Sequence, residues 1–361
     1  MAISLGVAAL LVTTSLMNGY RAALRRGILS ASGHLLVMAG DREEAEKAIQ
    51  TLQKKPGITW VGPVHFLSGL AETGRGGDGE VVTLKATENP PPFVTLPQQR
   101  LASPLPVAMG QGLAERLGLQ PGQTLLLQLA HPAGRPVYLP AQVQQVFQVS
   151  FAELHQSWLF CSEKALTRLV PDLPQTIVEV YLKDPEAAES FAEDILSQAP
   201  MGLRSWQEMN RELFAALRWQ KITLAMVLSL ILGVGAFEVA SSLVVLITEK
   251  RRELGILMAM GASGGLVRKV VVIAGSALGA GGVLGGLLLG GLLVLVANWL
   301  GLPHFSPELA SVYMVDRITW QPHVLDVAWV VLGGISEVVV VSVATARPFS
   351  RREPAEVIRW A

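Results

Sequence analysis

Long apolar runs alternate with shorter charged segments along this chain of 361 residues. Three of the runs, at residues 222–247, 270–300 and 324–346, are long enough to cross a bilayer, which requires about 20 apolar residues in a helix. The apolar stretch at residues 1–16 is slightly shorter and has no positively charged segment before it. We interpret it as a fourth transmembrane helix whose natural lead-in is missing from this sequence, rather than as a cleaved signal peptide.

Residues 20–218 have a different pattern, in which short strand-like and helix-like segments alternate irregularly. We therefore predict a mixed α+β domain, which at roughly 200 residues is long enough to bury a core and to divide into two subdomains. Asp41 is expected to cap the first helix of this domain. The predicted strands are residues 34–38, 81–86, 124–129, 137–149 and 177–182, and the predicted helices are residues 41–54, 109–119, 185–198 and 205–218.

The predicted fold class is an α-helical membrane protein with four transmembrane helices and a large mixed α+β periplasmic domain inserted between helices 1 and 2. Its predicted segments are transmembrane helix 1 at 1–19, the α+β domain at 20–218, helix 2 at 219–247, a cytoplasmic coupling segment at 248–270, helix 3 at 271–300, a short outside loop at 301–323, helix 4 at 324–346 and a cytoplasmic tail at 347–361.

Residues 248–270 combine a charged start with an apolar face. Residues 249–253 are all charged. Apolar or small residues follow at roughly helical spacing, at Leu254, Leu257, Met258 and Gly261. A segment this charged cannot lie in the hydrocarbon, so we expect a short helix at the membrane surface. A charged loop that only fixes topology is the alternative, but the apolar residues behind the charges favour a helix that docks on another protein.

Positive charge in the short loops predicts the orientation. The basic residues are Lys250, Arg251, Arg252, Arg268 and Lys269 in the coupling segment and Arg347, Arg351, Arg352 and Arg359 in the tail. Because cytoplasmic loops carry an excess of Lys and Arg, both segments are predicted to be cytoplasmic and the α+β domain to lie outside. Arg21, Arg25 and Arg26 oppose this orientation locally, but a large domain translocates largely regardless of charge.

Composition agrees with a membrane protein, since half of the residues are hydrophobic, 16% are charged and the mean hydropathy is +0.42. The formal net charge is zero, which gives no indication of a nucleic-acid partner. The single cysteine, Cys161, can form neither an internal disulfide nor a metal site by itself, and a buried, inert thiol is expected. No nucleotide-binding, zinc-protease or Cys-x-x-Cys motif is present, so the sequence does not indicate an enzyme.

Two glutamates interrupt the predicted spans, Glu238 in helix 2 and Glu337 in helix 4. A charge at mid-bilayer costs about 2.5–3.5 kcal/mol on insertion scales. One interpretation is a carboxylate that contacts substrate or couples motion. The favoured alternative is a protonated side chain hydrogen-bonded between helices, for instance to Ser241 or Ser242. Glycines spaced by four in residues 275–290 predict close packing of helix 3 against its neighbours.

Three stretches resemble a known family. They are SLGVAALLVTTSLMNGYRAALRRGIL at 4–29, LFAALRWQKITLAMVLSLILGVGAFEVASSLVVLITEKRRELGILMAMGAS at 213–263, and SVYMVDRI at 311–318 together with PAEVIR at 354–359. The chain resembles the FtsX/MacB-like ABC transporter permeases, and most closely the LolC/LolE lipoprotein-releasing permeases. The α+β domain is similar more weakly, chiefly at MGQGLAERLGLQPGQTLLL. The sequence departs from the family at Glu238, where Asn is common.

The resemblance implies a non-catalytic permease subunit in the cell inner membrane, with its large domain in the periplasm. It would extract lipoproteins from the outer leaflet by mechanical coupling to a separate ATPase. The implied partners are a LolD-like ATPase that binds ATP and Mg, a second permease subunit, identical or paralogous, the lipoprotein, and a LolA-like periplasmic carrier. This chain itself would bind no cofactor. The alternatives are a MacB-like efflux permease and an FtsX-like regulator that transmits ATPase motion to a periplasmic enzyme.

The resemblance also implies two sets of site residues. The ATPase-coupling set is Glu249, Lys250, Arg251, Arg252, Glu253, Gly255, Ile256, Leu257, Met260, Gly261 and Ala262. The substrate-cavity set is Met17, Met226, Leu230, Phe237 and Glu238. For the cavity set, the alternative is that these apolar faces pack only against protein.

Overall fold

The computed structural model describes residues 1–73, 79–96, 103–130, 135–149, 151–170, 173, 177–198, 202–303, 305–315 and 317–347. In chain order its elements are α1 (Ala2–Ala31), β1 (Leu35–Met38), α2 (Arg42–Leu52), β2 (Ile58–Glu72), β3 (Glu80–Ala86), β4 (Leu105–Gly110), α3 (Gln111–Leu117), β5 (Thr124–Leu129), β6 (Val137–Phe147), α4 (Ala152–Ser157), β7 (Trp158–Cys161), α5 (Glu163–Leu169), β8 (Ile177–Leu182), α6 (Ala188–Gln198), β9 (Leu203–Ser205), α7 (Trp206–Met209), α8 (Arg211–Glu249), α9 (Arg251–Ala259), α10 (Gly264–Leu300), α11 (Pro307–Tyr313) and α12 (Val324–Ala346). A 3₁₀ turn, Pro185–Ala187, precedes α6.

The chain forms two compact units. The helical unit comprises Met1–Arg21, Ala215–Pro303 and Ile318–Ala361. The sheet unit comprises Ala22–Phe214 and His304–Arg317. Helices α1 and α8 each run through the boundary between the units, so the predicted domain limits at residues 20 and 218 both fall inside continuous helices.

Six strands of the sheet unit close into a barrel. Strands β2, β3, β7, β4, β6 and β5 pair in that order, and β5 pairs back with β2. Leucines from several of these strands are fully buried in its core, which explains their apolar runs; examples are Leu84, Leu105, Leu127 and Leu159. Closure removes the free edges that would otherwise be open to pairing with other chains.

Strands β2, β8, β1 and β9 form an antiparallel sheet beside the barrel. Strand β2 belongs to both structures, because residues 58–64 pair with β8 and residues 65–71 pair with β3. The barrel and the antiparallel sheet therefore share one strand, β2.

Several predicted elements are confirmed in the sheet unit. Strands β5 and β8 have the predicted limits. Helix α2 is capped by Asp41, whose Oδ1 accepts a hydrogen bond of 2.7 Å from the Glu44 N–H, as the acidic start of that helix indicated.

The predicted helix at 109–119 is wrong at its start. Met109 and Gly110 belong to β4, and the helix α3 begins at Gln111. Every residue of β4 is buried, so its side chains do not alternate between apolar and polar, and periodicity could not separate this strand from the helix after it.

The sequence analysis missed β2, β7 and β9. Strand β2 contains Gly62, Pro63 and Gly69, which lower the strand propensity of the segment. Gly69 lies against the backbone carbonyl of Gln128, where a Cβ atom would collide, so the strand needs a residue without a side chain there. The glycine that made the segment look irregular is thus required by the pairing of β2 with β5.

Within the described part of the chain, four helices are long and apolar enough to cross a membrane, namely α1, α8, α10 and α12. Residues from all four form the core of the helical unit, including Val7, Leu232, Val283 and Val338. Gly279 of α10 lies directly against the Val338 side chain of α12. The predicted close packing of the glycine-rich helix is therefore confirmed.

Candidate functional site

The segment that connects α8 to α10 is the candidate coupling site. Helix α8 ends at Glu249, α9 begins at Arg251, and Ser263 caps α10 by accepting a hydrogen bond from the Leu266 N–H. Gly261 has a φ of +100°, a conformation that favours glycine, and it makes the sharp turn between α9 and α10. The predicted surface helix is thus a separate short helix held between two long ones.

The exposed side chains of this segment form a surface that is charged at one end and apolar at the other. Lys250 Nζ lies 2.7 Å from Glu253 Oε1, and this hydrogen bond raises the pKa of Lys250. Ile256, Leu257 and Met260 are 54, 51 and 80% exposed, although they are large and apolar. An apolar group of this kind at the end of a helical unit can bind a partner surface.

The other predicted coupling residues differ in how exposed they are. Arg252, Glu249 and Gly261 are exposed, Ala262 is half-buried, and Gly255 is buried. The side chain of Arg251 lies outside the described part of the structure. Leu254, in the same helix, packs against the apolar cluster of Leu243, Ile247, Val271 and Ala346. One face of α9 is therefore attached to the helical unit, and its other face is exposed.

The predicted cavity residues do not all lie together. Met226, Leu230 and Phe237 are 64, 71 and 72% exposed and follow one face of α8. Met17 is buried within the helical unit instead, because it lies on the face of α1 that packs inward.

The glutamates in the helices have partners other than those expected. Glu238 Oε2 accepts a hydrogen bond of 3.0 Å from the Ala2 N–H. The hydroxyls of Ser241 and Ser242 donate to backbone carbonyls of α8, so the suggested hydrogen bond to Glu238's side chain is wrong. A serine in a helix satisfies its hydroxyl within its own turn more readily than by reaching a neighbour. Glu337 Oε1 lies beside Gly233 of α8.

A polar cluster that the sequence analysis missed joins three helices of the helical unit. Lys221 Nζ of α8 lies 2.9 and 2.8 Å from the two carboxylate oxygens of Asp326 in α12. Asn18 of α1 donates from Nδ2 to Asp326 Oδ2 at 2.6 Å and accepts from Lys221 Nζ at 3.1 Å. A sequence signal for this cluster was present, because each of the three polar residues lies near the end of an apolar run. The sequence alone did not show that the three side chains contact one another.

A second missed feature is a buried ion pair in the sheet unit. Lys85 of β3 and Glu179 of β8 have no exposed side-chain surface, and Lys85 Nζ lies 2.8 Å from Glu179 Oε1. Lys85 also donates to the Ala31 carbonyl at 2.9 Å, and the Gly33 N–H donates to Glu179 Oε1 at 3.0 Å. Burial lowers the pKa of Lys85.

A positive charge near the start of the sheet unit also has structural partners. Arg25, on the part of α1 that belongs to this unit, forms an ion pair with Glu186 and lies 6.0 Å from the ring centre of Trp206. Cys161 is fully buried, as expected, and burial raises the pKa of its thiol.

Family comparison matches both parts of the chain. The model described as MacB-like periplasmic core domain matches residues 1–198, and the model described as FtsX-like permease C-terminal matches residues 225–354. The chain belongs to the FtsX/MacB-like permease family. The recognition made from the sequence is thereby confirmed, and this FtsX/MacB-like permease is a multi-pass membrane protein with a periplasmic domain.

Curated relatives match the permease over nearly its whole length. It is 25% identical over 390 residues to the lipoprotein-releasing system transmembrane protein LolC of Neisseria meningitidis serogroup B, covering 99% of this chain and 92% of that protein. It is 24% identical over 389 residues to the corresponding LolE of Haemophilus influenzae, with the same coverage. Among solved structures, the periplasmic region of MacB from Actinobacillus actinomycetemcomitans matches at 15% identity with a TM-score of 0.33, covering 52% of this chain and 94% of that one.

Proposed function

We propose that this permease is the membrane subunit of an ABC transporter that extracts lipoproteins from the outer leaflet of the inner membrane. The observation that carries the proposal is α9, whose apolar residues Ile256, Leu257 and Met260 are exposed between two long helices. The names of the LolC and LolE relatives supply the substrate class. The chain's own role is mechanical, and no reaction takes place on it.

The proposed driving partner is a separate ATPase that binds ATP and Mg and holds α9 in a surface groove. Each transporter would contain two permease subunits, identical or paralogous, and two ATPase subunits. When the ATPases close on ATP, they would displace α9 and hence the end of α8 to which it is joined. The released lipoprotein would pass to a periplasmic carrier.

The proposed cargo surface is the exposed apolar face of α8. Met226, Leu230 and Phe237 lie along this face at intervals that keep them on one side of the helix. Acyl chains are flexible and apolar, so a strip of exposed apolar side chains that includes a flexible methionine would bind them without specific hydrogen bonds.

The test is reconstitution. The permease would be co-purified in detergent with the ATPase encoded nearby, placed in vesicles and supplied with an acylated lipoprotein and a carrier. ATP-dependent transfer of the lipoprotein is the expected result. A stable complex that hydrolyses ATP and transfers nothing would instead favour efflux of another amphiphile or regulation of a periplasmic enzyme. Failure to bind any ATPase would contradict the proposal.

The role of α9 can be tested separately with Leu257→Asp and Met260→Glu. Each variant places a charge in the proposed contact, and lipoprotein transfer is expected to fall at least about tenfold because buried apolar anchors dominate such interfaces. Tyr138→Asp is the matched control, since Tyr138 of β6 is 56% exposed and lies in the sheet unit. Normal ATPase binding and transfer by both α9 variants would show that α9 does not couple the two proteins.

A further inference from the structure

Each member of the polar cluster of Asn18, Lys221 and Asp326 continues the buried face of its own helix. Lys221 follows Leu217 by one helical turn; Leu217 is buried and Lys221 is half-buried. Asp326 precedes Val330 by the same interval on α12, and Val330 belongs to the apolar core. The core therefore changes from apolar to polar at one end, and the change occurs on three helices at the same level.

Further hydrogen bonds extend this connection to the fourth helix. The Gln321 N–H donates to the Ser15 carbonyl of α1 at 3.0 Å. Asn298, near the end of α10, donates from Nδ2 to the Trp320 carbonyl at 3.0 Å and accepts from the Trp320 N–H at 2.9 Å. All four long helices are thus joined by polar contacts at this end.

The opposite end of α8 is held differently. There, α8, α10 and α12 contact one another through the apolar residues Leu243, Ile247, Val271 and Ala346. Apolar contacts are non-directional, whereas a carboxylate that accepts from both a lysine and an asparagine fixes direction and distance. The helix ends joined by the polar cluster are therefore held more specifically than the ends near α9.

We propose that Asn18, Lys221 and Asp326 form a fixed pivot that stays closed throughout the ATP-driven cycle, an inference that rests on the proposed function. The three are positioning residues, and α8 acts as a lever about them. Glu249 lies about 42 Å along α8 from Lys221, and Arg211 lies about 15 Å away in the other direction, at 1.5 Å per residue. If α8 turns as a rigid rod about Lys221, a displacement of its α9 end would move its start in the opposite direction by roughly a third of that distance.

Loss of the pivot should uncouple ATP hydrolysis from release. In Lys221→Met and Asp326→Leu, lipoprotein released per ATP hydrolysed is expected to fall about tenfold, because hydrogen bonds to charged groups are strong. Assembly with the ATPase and hydrolysis itself should persist, which separates this effect from misfolding. The exchanged double variant Lys221→Asp/Asp326→Lys is expected to recover release to within about threefold of the parent. Normal release per ATP in both single variants would overturn the proposal.

A reversible cross-link distinguishes a pivot from a gate that must open. Lys221→Cys/Asp326→Cys, combined with Cys161→Ala, would be treated with a short bifunctional methanethiosulfonate that bridges the two cysteines. A pivot predicts low release before treatment, recovery when the bridge forms and loss again after reduction. A bridged protein that stays inactive would show that the helices must separate here, and would overturn the proposal. Ile222→Cys/Leu325→Cys, at exposed neighbouring positions, controls for the reagent.

Spin-label distances test the pivot independently of cargo. Labels at Ile222 and Leu325 report the pivot end of α8 and α12, and labels at Val245 and Val340 report the other end; all four residues are exposed. With ATP, the first distance is expected to change by less than about 1 Å and the second by more than about 2 Å. The reverse would overturn the pivot. Because this readout needs only an ATP-hydrolysing complex, absence of lipoprotein transfer in the parent would count against the proposed function and leave the pivot testable.

Discussion

The sheet unit and the helical unit each contain a lysine–carboxylate pair, and the two pairs differ in burial. Lys85 and Glu179 have no exposed side-chain surface. Lys221 and Asp326 keep 24 and 22% of theirs. The first pair lies among the strands that join the barrel to the neighbouring sheet, and the second closes one end of a helical bundle. A buried pair is costly to break, whereas a partly exposed pair is screened by water and contributes less by itself, so the hydrogen bonds of Asn18 to both partners add to the second pair.

The two units also place their apolar residues differently. Leucines and valines of the barrel are largely buried, including Leu84, Leu127 and Val143. In the helical unit many residues of the same kind are exposed, among them Leu230, Leu288 and Leu292. Burial of apolar side chains away from water stabilises the first unit, whereas the exposed apolar side chains of the second unit would contact lipid and gain little by packing together. Polar contacts and close approach of small residues must therefore hold the helices together.

The largest effect is expected from breaking the pair in the sheet unit. Lys85→Met leaves Glu179 buried without its cation and removes the donor to the Ala31 carbonyl, so the free energy of unfolding should fall by about 3–5 kcal/mol. Thermal unfolding of the purified chain in detergent, followed by tryptophan fluorescence, measures it. The double variant Lys85→Met/Glu179→Leu should recover most of the loss. Equal loss in both variants would mean that packing, not charge, decides stability here.

A smaller effect is expected from filling the space between two helices of the helical unit. Gly279→Ala places a Cβ atom against Val338, and such overpacking costs about 1–3 kcal/mol. Gly281→Ala is the matched control, because nothing lies within 4 Å of a Cβ atom there. Thermal stability of the two variants in detergent checks the difference. If both variants matched the parent, close approach of α10 and α12 would not be a source of stability.

The smallest effect concerns pH and the sheet unit. The His65 imidazole and a hydrogen bond from Thr167 lower the pKa of Glu163 below its ordinary value of 4.5, although burial opposes them. Because the folded-state pKa is the lower one, the carboxylate contributes stability above pH 4.5, and this is lost as pH falls through the folded-state value. Glu163→Gln should therefore destabilise the chain by about 0.5–1 kcal/mol at pH 7 and by progressively less below pH 4.5.

Melting temperatures of the parent and Glu163→Gln between pH 7 and 3.5 measure that difference. Glu189→Gln, at an exposed position in α6, is the control. A gap between parent and Glu163→Gln that stays constant over the whole range would show that the carboxylate's charge contributes nothing to folding.

Local pattern predicted some parts of the structure well and others poorly, for identifiable reasons. Helix α2 with its cap at Asp41 and strand β5 follow from short-range signals alone. Strand β4 was assigned in part to a helix because it is buried throughout. Strand β2 was missed because it contains two glycines and a proline, and the need for one of them, Gly69, comes from its close contact with Gln128, 59 residues later in the chain.

Some features of the candidate site could be predicted from the sequence and others could not. The charged start and apolar face of α9 could be recognised because they lie within one helix, and its coupling role stays a prediction. The partners of Glu238 could not be foreseen, since Ala2 is 236 residues away. The burial of Met17 could not be foreseen either, because it depends on which face of α1 packs inward.

By itself, the sequence determined the four apolar helices and the family, because span length and short motifs are local properties. Only the tertiary structure decided that Lys85 meets Glu179 across 94 residues and that Lys221 meets Asp326 across 105. The tertiary structure also decided that residues 65–71 of β2 belong to the barrel while residues 58–64 belong to the neighbouring sheet. Which partner a charge or a strand edge pairs with depends on distance and burial in the folded chain. The residues next to it in sequence do not determine either of these.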